Sequence, residues 1–215
     1  MRLRKKPWIT EAILEFKDFV FTDSEVIKNM SWTESFENKA PLQVELGTGK
    51  GTFITTLAQR HPDINFIGIE AQQDVLYYAA KKVAAEKLPN VKLLVFDINH
   101  IMEAFANHSI ERFYINFCDP WPKPRHAKRR LTHQGFLEKY QQLLTENGQL
   151  FFKTDNKDLF DFSLEQFSAA KLKVDNVTFD LHNSNTKENI MTEYEVKFSN
   201  LGQKINFCEV TFNVK

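Results

Sequence analysis

One stretch of the sequence decides the fold, and it reads Val44-Glu45-Leu46-Gly47-Thr48-Gly49-Lys50-Gly51-Thr52-Phe53. A short apolar run over residues 42–46 leads straight into the three glycines, and an amphipathic pattern over 52–60 follows them. Glycine permits a tight turn and lets a ligand come close to the backbone. The stretch therefore predicts a strand, a ligand-binding loop and a helix at the start of an α/β sheet.

The type of loop follows from the spacing of its glycines. A phosphate-binding P-loop needs Gly-Lys followed by Ser or Thr, whereas Gly49-Lys50 is followed by Gly51. The dinucleotide fingerprint needs its third glycine three positions after the second, and that position is Thr52. An acid two residues before G-x-G-x-G, here Glu45, fits a loop for S-adenosylmethionine (SAM) better.

Outward from this loop, short apolar runs alternate with amphipathic stretches. The pattern predicts strands over 42–46, 64–70, 91–96, 112–117 and 148–153, helices over 52–60, 74–86, 133–144 (capped by Thr132) and 156–169, and β-rich stretches over 174–181 and 207–214. Strands that alternate with helices predict a parallel sheet covered on both faces. Residues 1–40 form a polar extension with one or two short helices, residues 41–215 form the domain, and residues 182–188 form a mobile loop.

The composition is that of a globular chain without an overall charge. Of 215 residues, 42% are hydrophobic and 26% are charged, and 28 basic residues balance 28 acidic ones. Any nucleic-acid site must therefore be a local patch. No apolar run approaches the ~20 residues of a membrane helix, so we expect no membrane association.

The cysteines and the N-terminus indicate the cellular compartment of the protein, and the histidines indicate whether it binds a metal. Two cysteines without a C-x-x-C pattern indicate a reducing compartment. The basic N-terminus is not followed by the apolar core of a secretory signal, so we predict a cytoplasmic protein. The six histidines show no metal-binding spacing, and we expect no metal.

Four acids stand at the carboxyl ends of predicted strands, namely Glu45, Glu70, Asp97 and Asp119. Those ends meet at one edge of an open α/β sheet, which is where such sheets bind ligands. Glu70 lies about 20 residues beyond the glycines, where nucleoside-binding α/β proteins place an acid for the ribose hydroxyls. Each acid taken alone is equally consistent with a helix N-cap or a solvated side chain; the four together predict a SAM site.

The segment after the fourth strand is rich in proline and then in basic residues, over 119–131. Its three prolines stiffen the loop that holds Asp119, and Trp121 offers a flat face for a base. Five cations fall within eight residues, namely Lys123, Arg125, Lys128, Arg129 and Arg130. A solvated basic loop is the alternative, but directly after a candidate catalytic acid we favour contact with RNA phosphates.

With these residues in view, the chain resembles the bacterial tRNA (guanine-N7-)-methyltransferases over nearly its whole length. The motifs that carry the resemblance are 44–53, 66–70, 114–123, 125–132, 152–156 and 192–195. The Asp-Pro-Trp-Pro-Lys stretch with its basic tail is specific to this family, whereas the glycine loop is shared by most SAM enzymes. One departure is Pro124, because members of the family usually carry a second basic residue there.

The resemblance implies a Rossmann-like SAM-dependent methyltransferase fold with a seven-stranded, mostly parallel sheet whose last strand is antiparallel. It implies tRNA as partner, guanine 46 of the variable loop as target, and S-adenosylhomocysteine as product. Cofactor contacts are implied for Glu45, Gly47, Gly49, Glu70, Asp97 and Asp119, with Asp119 also the catalytic acid. Substrate and RNA contacts are implied for Lys123, Arg125, His126, Lys128, Arg129, Arg130, Asp155, Thr192, Glu193, Tyr194 and Glu195.

The chemistry of guanine N7 limits what the protein must do. N7 has a free lone pair and no proton, so methyl transfer needs alignment and exclusion of water rather than a strong base. Asp119 or Asp155 would stabilise charge that develops on the base, and Asp155 or Glu195 would accept from guanine N1–H and the exocyclic amine. The alternatives are a SAM methyltransferase of another RNA, a protein or a small molecule, and a non-catalytic tRNA-binding scaffold; monomer and homodimer are both open.

Overall fold

The computed structural model describes residues 6–186 and 189–212. The chain divides into two compact units, residues 1–105 and 106–215. The sequence leaves open whether Arg2, Arg4, Lys5 and Lys6 contact RNA phosphates or form a disordered charged tail. The first three of these residues, and the end of the β-stretch predicted over 207–214, lie outside the described residues. Within the described residues, no helix combines the length and the apolar character that crossing a membrane requires. The division into an extension over 1–40 and a domain over 41–215 stays a prediction.

The first unit contains four parallel strands in the order β1-β4-β3-β2. They are β1 (Val20–Phe21), β2 (Leu42–Leu46), β3 (Asn65–Glu70) and β4 (Val91–Val95). Helix α4 (Thr52–Arg60) follows the glycine loop, α5 (Gln73–Ala85) follows β3, and a 3-10 segment (Ile98–Glu103) follows β4. Every residue of β2 is buried, as expected of a strand covered on both faces.

Residues before β2 are more ordered than the sequence pattern predicts. They form α1 (Ile9–Ala12), a 3-10 turn (Ile13–Phe16), α2 (Ser24–Lys28) and α3 (Trp32–Phe36). Tertiary contacts fix these short pieces, because Ile9 and Ile27 are fully buried and the Trp32 indole donates to the Ala104 carbonyl at 2.7 Å. The same region supplies β1, whose two residues pair with Leu93 and Leu94.

The second unit contains four strands in the order β5-β6-β8-β7. They are β5 (Ile110–Asn116), β6 (Leu144–Thr154), β7 (Lys173–Thr178) and β8 (Asn206–Thr211). Strands β5 and β6 are parallel, while β8 is antiparallel to both β6 and β7. The helices are α6 (Gln134–Leu143), α7 (Lys157–Ala169) and α8 (Glu193–Ser199), with 3-10 segments at Pro124–Arg129 and Leu181–Asn183.

The expected fold class is confirmed, with one correction to the strand count. The strands are mostly parallel and the last one is antiparallel, as the resemblance implies. The described residues hold eight strands rather than seven, because β2 to β8 account for the expected seven and the N-terminal region adds β1.

One local prediction in the second unit is wrong. Helix α6 is capped by His133, whose side chain accepts from the Gly135 backbone N–H, and not by Thr132. The Thr132 hydroxyl is instead buried against the Ser163 hydroxyl at 2.7 Å. The loop predicted over 182–188 begins within the 3-10 turn Leu181–Asn183, and no helix was predicted where α8 lies.

Candidate active site

The glycine loop of the first unit forms the tight turn that its sequence predicts, and its backbone is left-handed at each of the three glycines. Gly47, Gly49 and Gly51 have φ angles of +84°, +60° and +84°. The Gly47 and Thr48 N–H groups both donate to the Ile69 carbonyl at 2.9 Å, which ties the turn to β3. Within the described residues, a Cβ added at Gly47 or Gly49 would meet nothing within 4 Å, so the loop leaves open space above its backbone.

Glu70 closes the same loop at the end of β3. One carboxylate oxygen accepts from the Gly49 N–H at 3.2 Å and the other from the Gln72 N–H at 2.9 Å. An acid at this place, at the end of the second of two neighbouring strands and beside the glycines, is what a nucleoside-binding site uses for the hydroxyls of a ribose. Glu45 lies on β2 with only 3% of its surface exposed.

Asp97 is exposed at the end of β4 and caps the following 3-10 segment. One carboxylate oxygen accepts from the Asn99 backbone N–H at 2.9 Å and from its amide at 2.8 Å. The sequence allowed Asp97 to be either a helix cap or a ligand contact. The structure shows the cap. An open glycine loop with three carboxylates fits SAM, whose ribose hydroxyls, ammonium and sulfonium groups complement acceptors and negative charge.

The second unit carries a pocket of about 380 Å³. Its lining residues come from the ends of β5 and β6 and from α8 and the turn after it, and they are Phe117, Cys118, Asp119, Pro120, Thr154, Asp155, Asn156, Tyr194, Phe198 and Gln203. Phe117 and Trp121 hold left-handed backbone angles, φ +55° and +42°, which are costly for residues other than glycine. Strain of this kind on either side of an exposed aspartate is typical of a functional site.

An aromatic wall forms one side of this pocket. The Tyr194 ring stacks on Phe198 with centroids 4.1 Å apart and lies 5.0 Å from the Phe117 ring. The Tyr194 hydroxyl donates to the Asp155 carboxylate at 3.1 Å. Burial, with the charge of Asp155, raises the pKa of Tyr194 to about 12, so the hydroxyl stays protonated and acts as a donor at neutral pH.

Glu195, a candidate for substrate contact, points away from solvent. Its side chain is fully buried and its two oxygens accept from Lys153 at 2.8 Å, from His182 at 2.8 Å and from Asn189 at 2.5 Å. Burial acts to raise the pKa of Glu195, but the charge of Lys153 and the hydrogen bonds from Lys153, His182 and Asn189 outweigh it and hold that pKa below its usual range. Thr192 caps α8 by accepting from the Glu195 N–H, and Glu193 is exposed.

Four basic residues of the predicted RNA-binding run are exposed. They are Lys123, Arg125, Lys128 and Arg129, the last three within the 3-10 segment Pro124–Arg129. The Arg129 guanidinium lies 4.9 Å from the Trp121 ring centroid, and the half-buried His126 ring lies 5.8 Å from it. The segment therefore presents cations around one aromatic face.

Arg130, the last member of this run, points inward instead. Its guanidinium donates to the Pro120 and Trp121 carbonyls, each at 3.1 Å, and packs 4.2 Å from the Phe162 ring centroid. Arg130 thus helps to hold the strained Asp-Pro-Trp-Pro loop in shape, and its contact with RNA stays a prediction.

The surroundings of both cysteines disfavour the thiolate form that a nucleophile needs. Burial, with the charge of the neighbouring Asp119, raises the pKa of Cys118 to about 12, and burial, with the charge of Glu209, raises that of Cys208 to about 12. Both thiols are therefore protonated at neutral pH. Within the described residues, no group of three or more His, Cys, Asp or Glu side chains is arranged to hold a metal ion.

Five residues at or beside the pocket were not predicted from the sequence as site residues. Phe117 and Lys153 lie within the motifs given above, and the other three are Phe198, His182 and Asn189. One signal was available for Lys153, because a lysine that interrupts an apolar run in a central strand must find a partner when it is buried. Phe198, His182 and Asn189 lie on α8 or in the chain before it, for which the sequence shows no clear periodicity. Phe117 joins the site through the contact of its ring with Tyr194.

The fold and the loop are those of the SAM-dependent methyltransferases. A solved structure titled as that of an antibiotic-related methyltransferase aligns with a TM-score of 0.64 at 18% identity, covering 86% of this chain and 96% of the other. Residues 39–208 match the family described as "Putative methyltransferase". The tRNA (guanine-N(7)-)-methyltransferase of Brevibacillus brevis is 47% identical over 216 residues and all of both chains, and that of Bacillus subtilis is 46% identical over 98% of each. The chain belongs to the tRNA (guanine-N(7)-)-methyltransferase family.

Proposed function

We propose that this chain methylates N7 of guanine 46 in the variable loop of tRNA, with SAM as donor and S-adenosylhomocysteine as product. Family membership carries the coarser statement that the chain is a SAM-dependent methyltransferase of guanine N7 in tRNA. The observation that supports the finer proposal most directly is the pocket of the second unit, which combines Asp119, Asp155 and an aromatic wall.

The first unit holds the donor in this proposal. Gly47 and Gly49 leave room for it beside the backbone, Glu70 accepts from its ribose hydroxyls, and Glu45 and Asp97 supply negative charge. SAM brings an electrophilic methyl group, so the protein itself needs no nucleophile and forms no covalent link to the substrate.

The second unit holds the guanine. The rings of Tyr194 and Phe117 provide a face on which a base can stack. Asp119 is exposed in the pocket, and its carboxylate offsets the positive charge that the purine gains as its N7 is methylated. We also retain Asp119 as a candidate contact to the donor.

Asp155 is the residue we assign to reading the base. A carboxylate accepts at once from guanine N1–H and the exocyclic amine, and adenine lacks that pair of donors. Glu195 was the other candidate, but its oxygens accept from Lys153, His182 and Asn189 inside the protein. Asp155 lines the pocket and accepts only from the Tyr194 hydroxyl among the contacts of the described residues.

The exposed cations hold the RNA backbone. Lys123, Arg125, Lys128 and Arg129 supply contacts to phosphates, with His126 at the edge of the same segment. Such contacts set affinity and its dependence on salt rather than the choice of base. We place the protein in the cytoplasm with its tRNA, and we keep monomer and homodimer as the two states that sedimentation will distinguish.

The test uses labelled SAM and two tRNA transcripts that differ only at position 46. The transcript with guanine there is expected to gain label and to break at that nucleotide on chemical cleavage at N7-methylguanine, while the transcript with adenine does not. Cleavage at another guanine would contradict the assignment of the nucleotide. Asp155→Asn is expected to lose at least about tenfold in single-turnover rate while it binds SAM as the unsubstituted chain does.

A further inference from the structure

A buried polar cluster lies behind the aromatic wall of the pocket, and we call it the Lys153 cluster. It consists of Lys153 on β6, Glu195 on α8, and Asn189 and His182 from the chain between them. Lys153 and Glu195 keep only 5% and 0% of their side-chain surface exposed and meet at 2.8 Å. A buried pair of this kind needs further hydrogen bonds to offset the loss of hydration.

Those hydrogen bonds are present, and they involve all three N–H bonds of Lys153 and both carboxylate oxygens of Glu195. The three N–H bonds of Lys153 go to Glu195 at 2.8 Å, to the Ile190 carbonyl at 2.8 Å and to the Asn189 side chain at 3.0 Å. Both oxygens of Glu195 also accept within the cluster, from Lys153 on one side and from His182 and Asn189 on the other. One ammonium group thus fixes the chain at 189–190 and the first turn of α8.

The cluster adjoins the pocket through the residues next to its two charges. Tyr194 precedes Glu195 in α8, and Asp155 lies two residues after Lys153, beyond the end of β6; these two pocket residues meet at 3.1 Å. The Lys153 ammonium also lies 5.9 Å from the ring centroid of Phe117. The Lys153–Glu195 ion pair therefore joins β6 to α8, next to the place where Tyr194 contacts Asp155.

We propose that Lys153 and Glu195 are positioning residues for the methyl-transfer reaction, and that their ion pair holds the Tyr194 hydroxyl against Asp155 so that this carboxylate presents its acceptors to guanine. This inference rests on the proposed function and deepens it. Glu195 acts through Tyr194 and does not touch the base. The cluster is the reason that a helix of seven residues can hold one wall of a pocket in a fixed place.

A double-mutant cycle separates positioning from direct contact. Single-turnover rates at saturating SAM and tRNA are measured for Tyr194→Phe, Glu195→Gln and the double variant. We expect about tenfold loss or more for each single variant, since each removes a hydrogen bond to a charged group. If Glu195 acts through Tyr194, the double variant stays within about threefold of Glu195→Gln, because the contact it supports is already gone. Losses that multiply, or a Glu195→Gln rate equal to that of the unsubstituted chain, would overturn the proposal.

A second readout needs no activity at all. Hydrogen exchange of the α8 amides in the protein without tRNA is expected to rise at least tenfold in Glu195→Gln and to stay unchanged in α4. Lys173→Met is the matched control, because it breaks an exposed ion pair with Asp175 in the same unit. Unchanged α8 exchange in Glu195→Gln would refute the positioning role alone, whereas an unsubstituted chain that fails to methylate N7 would refute the proposed function alone.

A milder variant guards against loss of the fold. If Glu195→Gln does not fold, as judged by SAM affinity and thermal midpoint, Asn189→Ala takes its place in the same cycle. It removes one hydrogen bond from each member of the pair and leaves the charges matched. Multiplicative losses of Asn189→Ala and Tyr194→Phe would overturn the proposal in the same way.

Discussion

Gly51→Ala tests whether the glycine loop is built for close packing as well as for ligand approach. A Cβ at this position would stand 2.6 Å from the Cβ and 2.8 Å from the Cα of Ala79 on α5. Backbone atoms of a helix cannot rotate away, so α4 and α5 would have to move apart. The backbone is also left-handed there, with φ +84°, which adds strain for any residue that has a Cβ.

The expected loss of stability is the sum of these two effects. Left-handed strain costs about 1–2 kcal/mol, and overpacking costs about 1–3 kcal/mol. The total is about 2–5 kcal/mol, and each kcal/mol lowers the melting temperature of a chain of this size by about 2–4 °C. Gly51→Ala should therefore lower the midpoint by about 4 °C or more.

Gly202→Ala isolates the strain, because Gly202 has φ +81° and an added Cβ would meet nothing within 4 Å among the described residues. Thermal unfolding of the ligand-free variants, followed by circular dichroism, gives the comparison. A Gly51→Ala midpoint no lower than that of Gly202→Ala would refute the packing argument. Gly49→Ala should match Gly202→Ala in midpoint and lose about tenfold in SAM affinity by calorimetry, because its Cβ points into open space.

Three further predictions concern other parts of the molecule. Neither Cys118 nor Cys208 should react with a thiol reagent at pH 8 within minutes unless the chain is unfolded, because each has a pKa of about 12; rapid native labelling would contradict this. The pKa of folded Glu195 is lowered, so its ionised form contributes stability that is fully present above the unfolded pKa of about 4.3 and is lost as the pH falls through the folded pKa. Glu195→Gln should therefore flatten the fall in stability below about pH 4.3 in urea titrations. Lys128→Ala should lower the slope of log affinity for tRNA against log salt by about 0.7–0.9, while the exposed Lys81→Ala should leave it unchanged; equal slopes would argue against a phosphate contact at Lys128.

The parts of the fold that depend on nearby residues were predictable from the sequence. Strand β2 and helix α4 have the predicted bounds, because an apolar run, a glycine turn and helical periodicity all lie within 20 residues of one another. The positive φ angles of the loop follow from its glycines in the same way.

The parts that depend on distant residues were not predictable. Strand β1 is two residues long and exists only because Val20 and Phe21 pair with Leu93 and Leu94 in β4. The sequence predicts Thr132 as a helix cap, but its hydroxyl is hydrogen-bonded to that of Ser163, which is 31 residues further on. A single sequence shows neither partner.

In the candidate site, too, nearby residues were predictable and contacts between distant residues were not. That Asp119 and Asp155 line a pocket agrees with an expectation drawn from motifs, and their roles stay predictions. Glu195 is one of the residues that the motifs indicate, and the structure pairs its side chain with Lys153, 42 residues before it, inside the protein. A motif identifies which residues matter, but the direction of a side chain depends on contacts that span the chain.

Strand β7 has a consequence for how the protein behaves at high concentration. It lies at the end of the strand order in the second unit, and its register with β8 shifts between Asp175 and Thr178 at the left-handed Asn176. An outermost strand with unused backbone donors and acceptors invites pairing with another molecule, and a bulge together with a charged Lys173–Asp175 pair makes that pairing poor. Straightening the bulge and neutralising these charges should therefore turn a well-behaved chain into one that forms intermolecular sheet and precipitates.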